Sequence, residues 1–210
     1  MFALVESGSI TKFFSGNQGI IIGDLQYPKA IFTLWTKSER EAIGIYEVEM
    51  DTSKKKDEEW YINTDVTYTF GSGKVIGSYG DATAKAHADT KWTQKEIDDG
   101  DAPSGADTNT VKVEGLKTVL IRNVKAQAAG ILQDTDWYIV RKADAGTAVP
   151  SSITTHRAAV RTKAAAQETQ ITNASDTPAL ETLYAYVNTA DEGDPVVRER
   201  PLGELPRLES

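Results

Sequence analysis

The chain has 210 residues, with 23 Lys or Arg against 31 Asp or Glu, and its formal net charge is −8. It contains no cysteine, which excludes a disulfide scaffold, a thiolate nucleophile and a cysteine-based metal site. The opening MFALVESGSITKFF lacks the basic and apolar runs of a secretory signal, and no stretch approaches the roughly 18 apolar residues of a membrane span. We therefore expect one large or two small domains without membrane insertion.

Residues 1–80 carry the alternating, β-branched and aromatic patterns that are typical of strands. FALVE and SITKFF predict a hairpin that turns at a Ser-Gly pair, and WYINTDVTYTF and KVIGSY predict another that turns at Gly-Ser-Gly. The sequence therefore predicts a small N-terminal antiparallel β-rich domain.

Residues 81–110 are rich in Ala, Asp, Gly, Thr and Ser. This composition predicts a linker or a long loop, and whether the segment packs with its flanks stays open.

A helical period begins at Leu116, where apolar residues recur every three to four positions until DTDW ends the first helix. WYIVRK, residues 137–142, alternates like a short strand. A second helix is expected from about Ser152 to Ala174, and a third begins near Thr177. We expect a helical module of two to three helices over residues 111–190.

The last segment, residues 191–210, holds three prolines and predicts an extended Pro-rich tail. With the β-rich domain, the linker and the helical module, the tail completes a chain of the α+β class.

Charge is distributed unevenly along the chain. Residues 1–110 hold 11 Lys or Arg against 18 Asp or Glu, residues 111–175 hold 9 against 5, and residues 176–210 hold 3 against 8. A basic helical segment therefore lies between acidic ones. Complementarity within the chain or between subunits is one interpretation, and nucleic-acid binding is disfavoured because the acidic chain as a whole repels phosphate.

No pattern of catalytic or metal-binding residues is present. The two histidines, His87 and His156, lie far apart, and the acidic run at residues 98–101 lacks the spacing of a calcium loop. The GSGK turn lacks the Ser or Thr and the first Gly of a phosphate loop, and no GxSxG occurs. We expect no enzyme activity, no metal and no cofactor.

The segment LIRNVKAQAAGILQDTDWYIVRKADAGTAVPSSITTHRAAVR resembles a module of tailed bacteriophages, the tail assembly chaperone or tail-fibre assembly module. The residues that carry this resemblance are Leu132, Thr135, Asp136, Trp137, Pro150, His156, Arg157 and Arg161. Many members of that family have Tyr at the position of His156. The N-terminal ALVESGSI, YPK and WTKSEREAIGIYEVE are similar to the openings of small phage tail proteins.

This resemblance implies a structural protein of the virion that bridges tail, baseplate or tail-fibre proteins, in several copies because tails are symmetric. It would be assembled in the host cytoplasm and reside in the tail region. The alternative is an assembly chaperone that is absent from the mature virion, and a third hypothesis is a host-surface-binding tail protein.

The residues expected to contact partners lie in the segment that resembles the phage module. The hypothesis of host-surface binding needs, in addition, exposed aromatic residues on the β-rich domain. The partner-contact residues are Trp137, Tyr138, Arg141, His156, Arg157 and Arg161, and the receptor aromatics are Trp60 and Tyr61. Trp137 could equally be a core residue between the first two helices.

Overall fold

The computed structural model describes residues 1–192 and 194–208. It confirms the α+β class, with a strand-rich N-terminal region and C-terminal helices. The chain forms two compact units, Met1–Thr83 and Ala84–Ser210. The first unit therefore ends close to the end of the predicted β-rich domain.

The first unit is built of short strands with two short helices. Its strands are β1 (Phe2–Glu6), β2 (Ser9–Phe14), β3 (Ile20–Ile22), β4 (Leu25–Tyr27), β5 (Ile45–Asp51), β6 (Tyr61–Ile62), β7 (Thr67–Gly71) and β8 (Lys74–Ser78). Its helices are α1 (Ile31–Leu34) and α2 (Lys37–Ala42), and β9 (Thr83–Ala84) lies at the boundary. The predicted strand WYINTDVTYTF is thus interrupted between β6 and β7.

Five strands form one sheet in the order β2-β1-β5-β8-β7. Both predicted hairpins are present, with positive φ angles at Ser7 and Gly8 in the first turn and at Ser72 and Gly73 in the second. The predicted antiparallel sheet region is confirmed, and within it one pair, β5 and β8, runs parallel. Two parallel strands need a long connection, and the segment between β5 and β8 provides it. This segment contains β7, which forms the outer edge of the sheet, and β8 then returns beside β5.

Apolar side chains pack on both faces of this sheet. On one face, Leu4, Phe14 and Ile45 form a core with Ile31 and Phe32 of α1. On the other face, rings from different strands meet in pairs whose centroids lie 4.7 Å and 4.8 Å apart, namely Phe13 with Tyr68 and Tyr46 with Phe70. Phe13 and Tyr68 belong to the two outer strands, so the sheet curls until its edges touch.

The second unit holds the remaining helices. They are α3 (Gln94–Asp98), α4 (Leu116–Gln133), α5 (Asp136–Ala145), α6 (Ser151–Asn173) and α7 (Thr177–Tyr184). Its short strands are β10 (Thr90–Lys91), β11 (Val111–Val113), β12 (Val187–Asn188) and β13 (Arg198–Glu199).

The helices α4 and α6 pack along each other and form the core of the second unit. Each contributes a buried stripe at helical spacing, Leu120, Val124 and Ala128 from α4 and Ile153, Val160, Ala164 and Ile171 from α6. The predicted helical period, the end of α4 before DTDW and the extent of α6 are therefore confirmed.

Residues 85–89, inside the predicted linker, are fixed to the N-terminus of α4. The amides of Leu116 and Lys117 donate to the carbonyls of Ala86 (2.9 Å) and His87 (3.0 Å). The Asp89 carboxylate accepts hydrogen bonds from the Gly115 amide and the Thr118 hydroxyl, both at 2.7 Å. We call residues 85–89 the N-terminal strap; they satisfy amides that a helix start leaves free. This part of the predicted linker therefore packs with the helices.

We predict that Asp89→Asn lowers the unfolding free energy of the second unit by about 1 kcal/mol, the usual value of a lost helix cap. The hydrogen bonds from Thr118 and Gly115 hold the Asp89 pKa below its ordinary value. The stabilising carboxylate form is therefore fully present above the unfolded pKa and is lost as the pH falls through the lowered, folded pKa.

Urea unfolding of wild type and Asp89→Asn between neutral and acidic pH tests this prediction, because the difference in stability should shrink on acidification. Asp101→Asn is the matched control, because Asp101 is an exposed residue of the predicted linker, residues 81–110, outside the strap. A difference that is independent of pH would contradict the account.

The described part of the predicted tail that follows β13 packs on its own unit. Leu202 and Leu205 are buried, the Gln167 side-chain amide donates to the Gly203 carbonyl at 2.8 Å, and the Leu202 amide donates to the Leu183 carbonyl at 3.0 Å. In the predicted tail, residues 191–210, Gly193, Glu209 and Ser210 lie outside the described residues. The segment after β13 therefore covers α6 rather than extending freely.

Candidate functional site

The segment expected to be a short strand is helix α5, so that expectation is wrong. A strand needs backbone hydrogen bonds from a neighbouring strand, whereas a helix satisfies its own. Residues 136–145 are followed by Gly146 in the left-handed conformation, with φ 67° and its amide donating to the Lys142 carbonyl. This glycine stop, together with Ala, Arg and Lys within the segment, favours a helix over an isolated strand.

Arg157 of α6 holds the junction between α4 and α5. Its guanidinium nitrogen Nη1 lies 2.8 Å from the Leu132 carbonyl, 2.7 Å from the Thr135 hydroxyl and 2.8 Å from the Asp136 carboxylate. The Thr135 hydroxyl in turn donates to the Leu132 carbonyl at 2.9 Å. Asp136 also lies in the first turn of α5, where a negative charge is favourable.

Four of the eight residues that carry the sequence resemblance thus meet in one cluster. Leu132, Thr135 and Asp136 come from one side of the junction, and Arg157 reaches them from α6. Both Thr135 and Arg157 are buried. Their spacing in the sequence is explained by this junction, which sets the direction in which α5 leaves α4.

The helix α5 itself contributes no buried residue to the core. Trp137 is 51% exposed and Val140 is 66% exposed, and Ile139 is exposed as well. Trp137 and Val140 lie three positions apart, on the same side of the helix. A ten-residue helix is marginal in water by itself, so one in which no residue is fully buried gains stability when another surface covers it.

Arg141 completes an aromatic and cationic cluster on this helix. Its guanidinium lies 4.6 Å from the Trp137 ring centroid and 5.4 Å from that of Tyr138, and the two rings lie 3.9 Å apart. The buried Nε of Arg141 has no hydrogen-bond partner among residues 1–192 and 194–208. Neither Arg141 nor the exposed Lys142 forms an ion pair with a described residue. We call Trp137, Tyr138, Val140, Arg141 and Lys142 the α5 surface.

The other predicted partner-contact residues fall in different surroundings. His156 and Arg157 are buried, whereas Arg161 is exposed one turn further along α6. His156 lines a cavity of about 320 Å³ with Thr135 and Arg207. Its Nε2 has no hydrogen-bond partner in the part of the chain that the structure describes. Access from a partner is therefore direct for Arg161 and the α5 surface, and not for Arg157.

The aromatic residues of the receptor hypothesis do not have the exposure that it requires. Trp60 is 4% exposed and Tyr61 is 5% exposed, so both belong to the core of the first unit. The Lys56 ammonium also lies 4.3 Å from the centroid of the Tyr61 ring. The expectation that these two rings face a receptor is corrected by their burial.

Val140, a residue of the α5 surface, was not among the residues that the sequence predicted to contact partners. Interpreting residues 137–142 as a strand placed Trp137 and Ile139 on one face and left Val140 on the other. A helical interpretation, in which Trp137, Val140 and Arg141 share a face, would have found the surface. The glycine after ADA was the available signal for a helix stop.

Among the described residues, no three or more His, Asp or Glu side chains are grouped so that they could hold a metal ion. Within the same residues, no helix combines the length and apolar character needed to cross a membrane. No family model, no curated protein and no solved structure matches this chain. The exposed α5 surface is therefore the feature on which a functional proposal rests.

Proposed function

We propose that this chain is a non-enzymatic structural component of a tailed-phage virion, located in the tail region, that bridges tail, baseplate or tail-fibre proteins. The observation that carries the proposal is the α5 surface, an exposed aromatic and aliphatic helix face in the segment that resembles the phage module. Aromatic residues and arginine are enriched where proteins bind each other. A helix face of this kind supplies contact area when a partner buries it.

Several further features support a binding role. Trp137 is large and presents a rigid ring, and Arg141 lies over it, so little side-chain entropy remains to be lost on binding. The Arg157 cluster fixes where α5 begins, so the surface is presented in one orientation. A protein that connects subunits needs such a fixed surface, and the proposal requires no bond-making chemistry from the chain.

The alternative is an assembly chaperone that binds tail-fibre proteins and then leaves. The same α5 surface would serve that role, and the sequence resemblance covers both. The two functions differ in whether the chain remains in the finished particle. The host-surface-binding alternative is less favoured, because Trp60 and Tyr61 are buried.

Mass spectrometry of purified, intact virions tests this proposal, with the copy number measured against the major capsid protein. We expect the chain in every preparation at a fixed small multiple, which would also give the symmetry of its assembly. Abundance in the infected-cell lysate together with absence from virions would overturn the structural role and favour the chaperone.

A further inference from the structure

The described residues include a second exposed surface whose charge is opposite to that of the α5 surface. The strands β12 and β13 pair antiparallel and form a hairpin, and the Thr189 amide donates to the Val197 carbonyl at 2.8 Å. We call residues 186–192 and 194–199 the acidic hairpin. Like α5, it belongs to the second unit.

The acidic hairpin combines carboxylates with exposed apolar side chains. Asp191, Glu192 and Asp194 are exposed and form no ion pair with a described residue. Close to them, Val196 is 67% exposed and Val197 is also exposed. Exposed branched aliphatic residues beside unpaired carboxylates are complementary in character and charge to the apolar and cationic side chains of the α5 surface.

The two surfaces do not cover each other within one chain. Trp137 and Val140 on α5 and Val196 on the hairpin all keep half or more of their surface exposed. Arg141 and Lys142 have no carboxylate partner, and the hairpin carboxylates have no cationic partner, among the described residues. One charge of the opposite sign lies near each surface: Asp144 is on α5 beside the α5 surface, and Arg198 is within the acidic hairpin.

We propose that the occupant of the α5 surface is the acidic hairpin of a second copy of this chain. The contact is heterologous, since a helix of one copy binds a hairpin of the next, and such contacts generate rings or open arrays. Carboxylates of the hairpin pair with Arg141 and Lys142, while Val196 and Val197 cover Trp137 and Val140. Opposite charges set the order of the copies, and the apolar contact supplies affinity.

This self-association goes beyond the proposed role in a virion, because it requires nothing except the purified chain. A single contact of this size is weak, and association therefore increases with concentration. It weakens as salt is added, since exposed charges are screened over about 8 Å at physiological ionic strength. The test for presence in virions and the test for self-association can therefore give different outcomes.

The test is sedimentation velocity of the full chain with two charge-reversal variants. The first carries Arg141→Glu and Lys142→Glu, and the second carries Asp191→Lys, Glu192→Lys and Asp194→Lys. In the first variant both surfaces are negative, and in the second both are positive. Each variant alone should therefore remain monomeric, whereas an equimolar mixture should associate again because every contact between unlike copies is complementary.

The control variant, Lys29→Glu with Lys91→Glu, changes the net charge as much as the first variant but at exposed sites outside both surfaces. It should associate like wild type. Circular dichroism and thermal unfolding check that all variants are folded, which is expected because the altered side chains are exposed or half-buried.

A wild-type chain that remains monomeric over the accessible concentration range would overturn the proposal and leave a different tail protein as the occupant. Folded variants that associate as well as wild type would also overturn it. So would a mixture of two monomeric variants that fails to associate. Binding of a monomeric chain to phosphatidylglycerol vesicles, lost in the Arg141 and Lys142 variant, would assign the surface to an anionic membrane instead.

Discussion

Replacing Arg157 with Met should lower the unfolding free energy of the second unit by about 2–3 kcal/mol, the usual loss for hydrogen bonds to a buried charged group. Methionine keeps the apolar stem of the side chain but removes the nitrogen that contacts Leu132, Thr135 and Asp136. The Thr135 hydroxyl retains its bond to the Leu132 carbonyl, so the loss is partial. Urea unfolding followed by circular dichroism measures the change.

A second readout separates local from general destabilisation. Because Arg157 joins Asp136 to α6, its loss should increase amide hydrogen exchange in α5 more than in the middle of α4. Arg161→Met, one turn later on the exposed side of α6, should change stability by no more than about 0.5 kcal/mol. Equal effects of the two substitutions would show that Arg157 does not hold the junction.

Replacing Gly115 with Ala should destabilise the second unit by at least about 3 kcal/mol, because a methyl group has no room there. A Cβ at this position would lie 2.2 Å from the carbonyl carbon of Ala88 and 2.4 Å from its oxygen. Both are backbone atoms, so the N-terminal strap itself must move. This movement strains the hydrogen bonds that the Leu116 and Lys117 amides donate to the strap, and the one that the Gly115 amide donates to Asp89.

Gly130→Ala, inside the helix that Gly115 precedes, is the matched control. A Cβ at Gly130 meets nothing within 4 Å, and alanine favours a helix interior over glycine by up to about 1 kcal/mol. The two glycine-to-alanine changes, one just before α4 and one inside it, should therefore have opposite effects on the thermal unfolding temperature. A Gly115→Ala protein as stable as wild type would contradict the attachment of the strap.

Local sequence patterns predicted much of the fold, because hairpin turns and helical periodicity depend on neighbouring residues. The turns before β2 and β8, the apolar stripe of α4 and the extent of α6 are all of this kind. The parallel pairing of β5 with β8 joins strands that are more than twenty residues apart, and a local sequence pattern does not encode such a pairing.

The candidate site was predicted in its residues but not in its geometry. Trp137, Tyr138 and Arg141 do form an exposed cluster, but on a helix, since six alternating residues fit a strand and one side of a helix about equally well. Arg157 was grouped with them because it lies in the segment that resembles the phage module, although it is buried. Its burial depends on carbonyl and hydroxyl groups more than twenty positions away, which no local pattern reveals.

The most direct test of the central claim is oxidative footprinting of Trp137 in intact virions and in the dilute purified chain, followed by mass spectrometry. Trp60, which is buried in the free chain, is the internal reference. The account predicts that Trp137 is oxidised readily in the free chain and several-fold more slowly in virions, with Trp60 unchanged. Equal oxidation of Trp137 in both states would show that the α5 surface remains uncovered in the particle and would contradict its role in assembly.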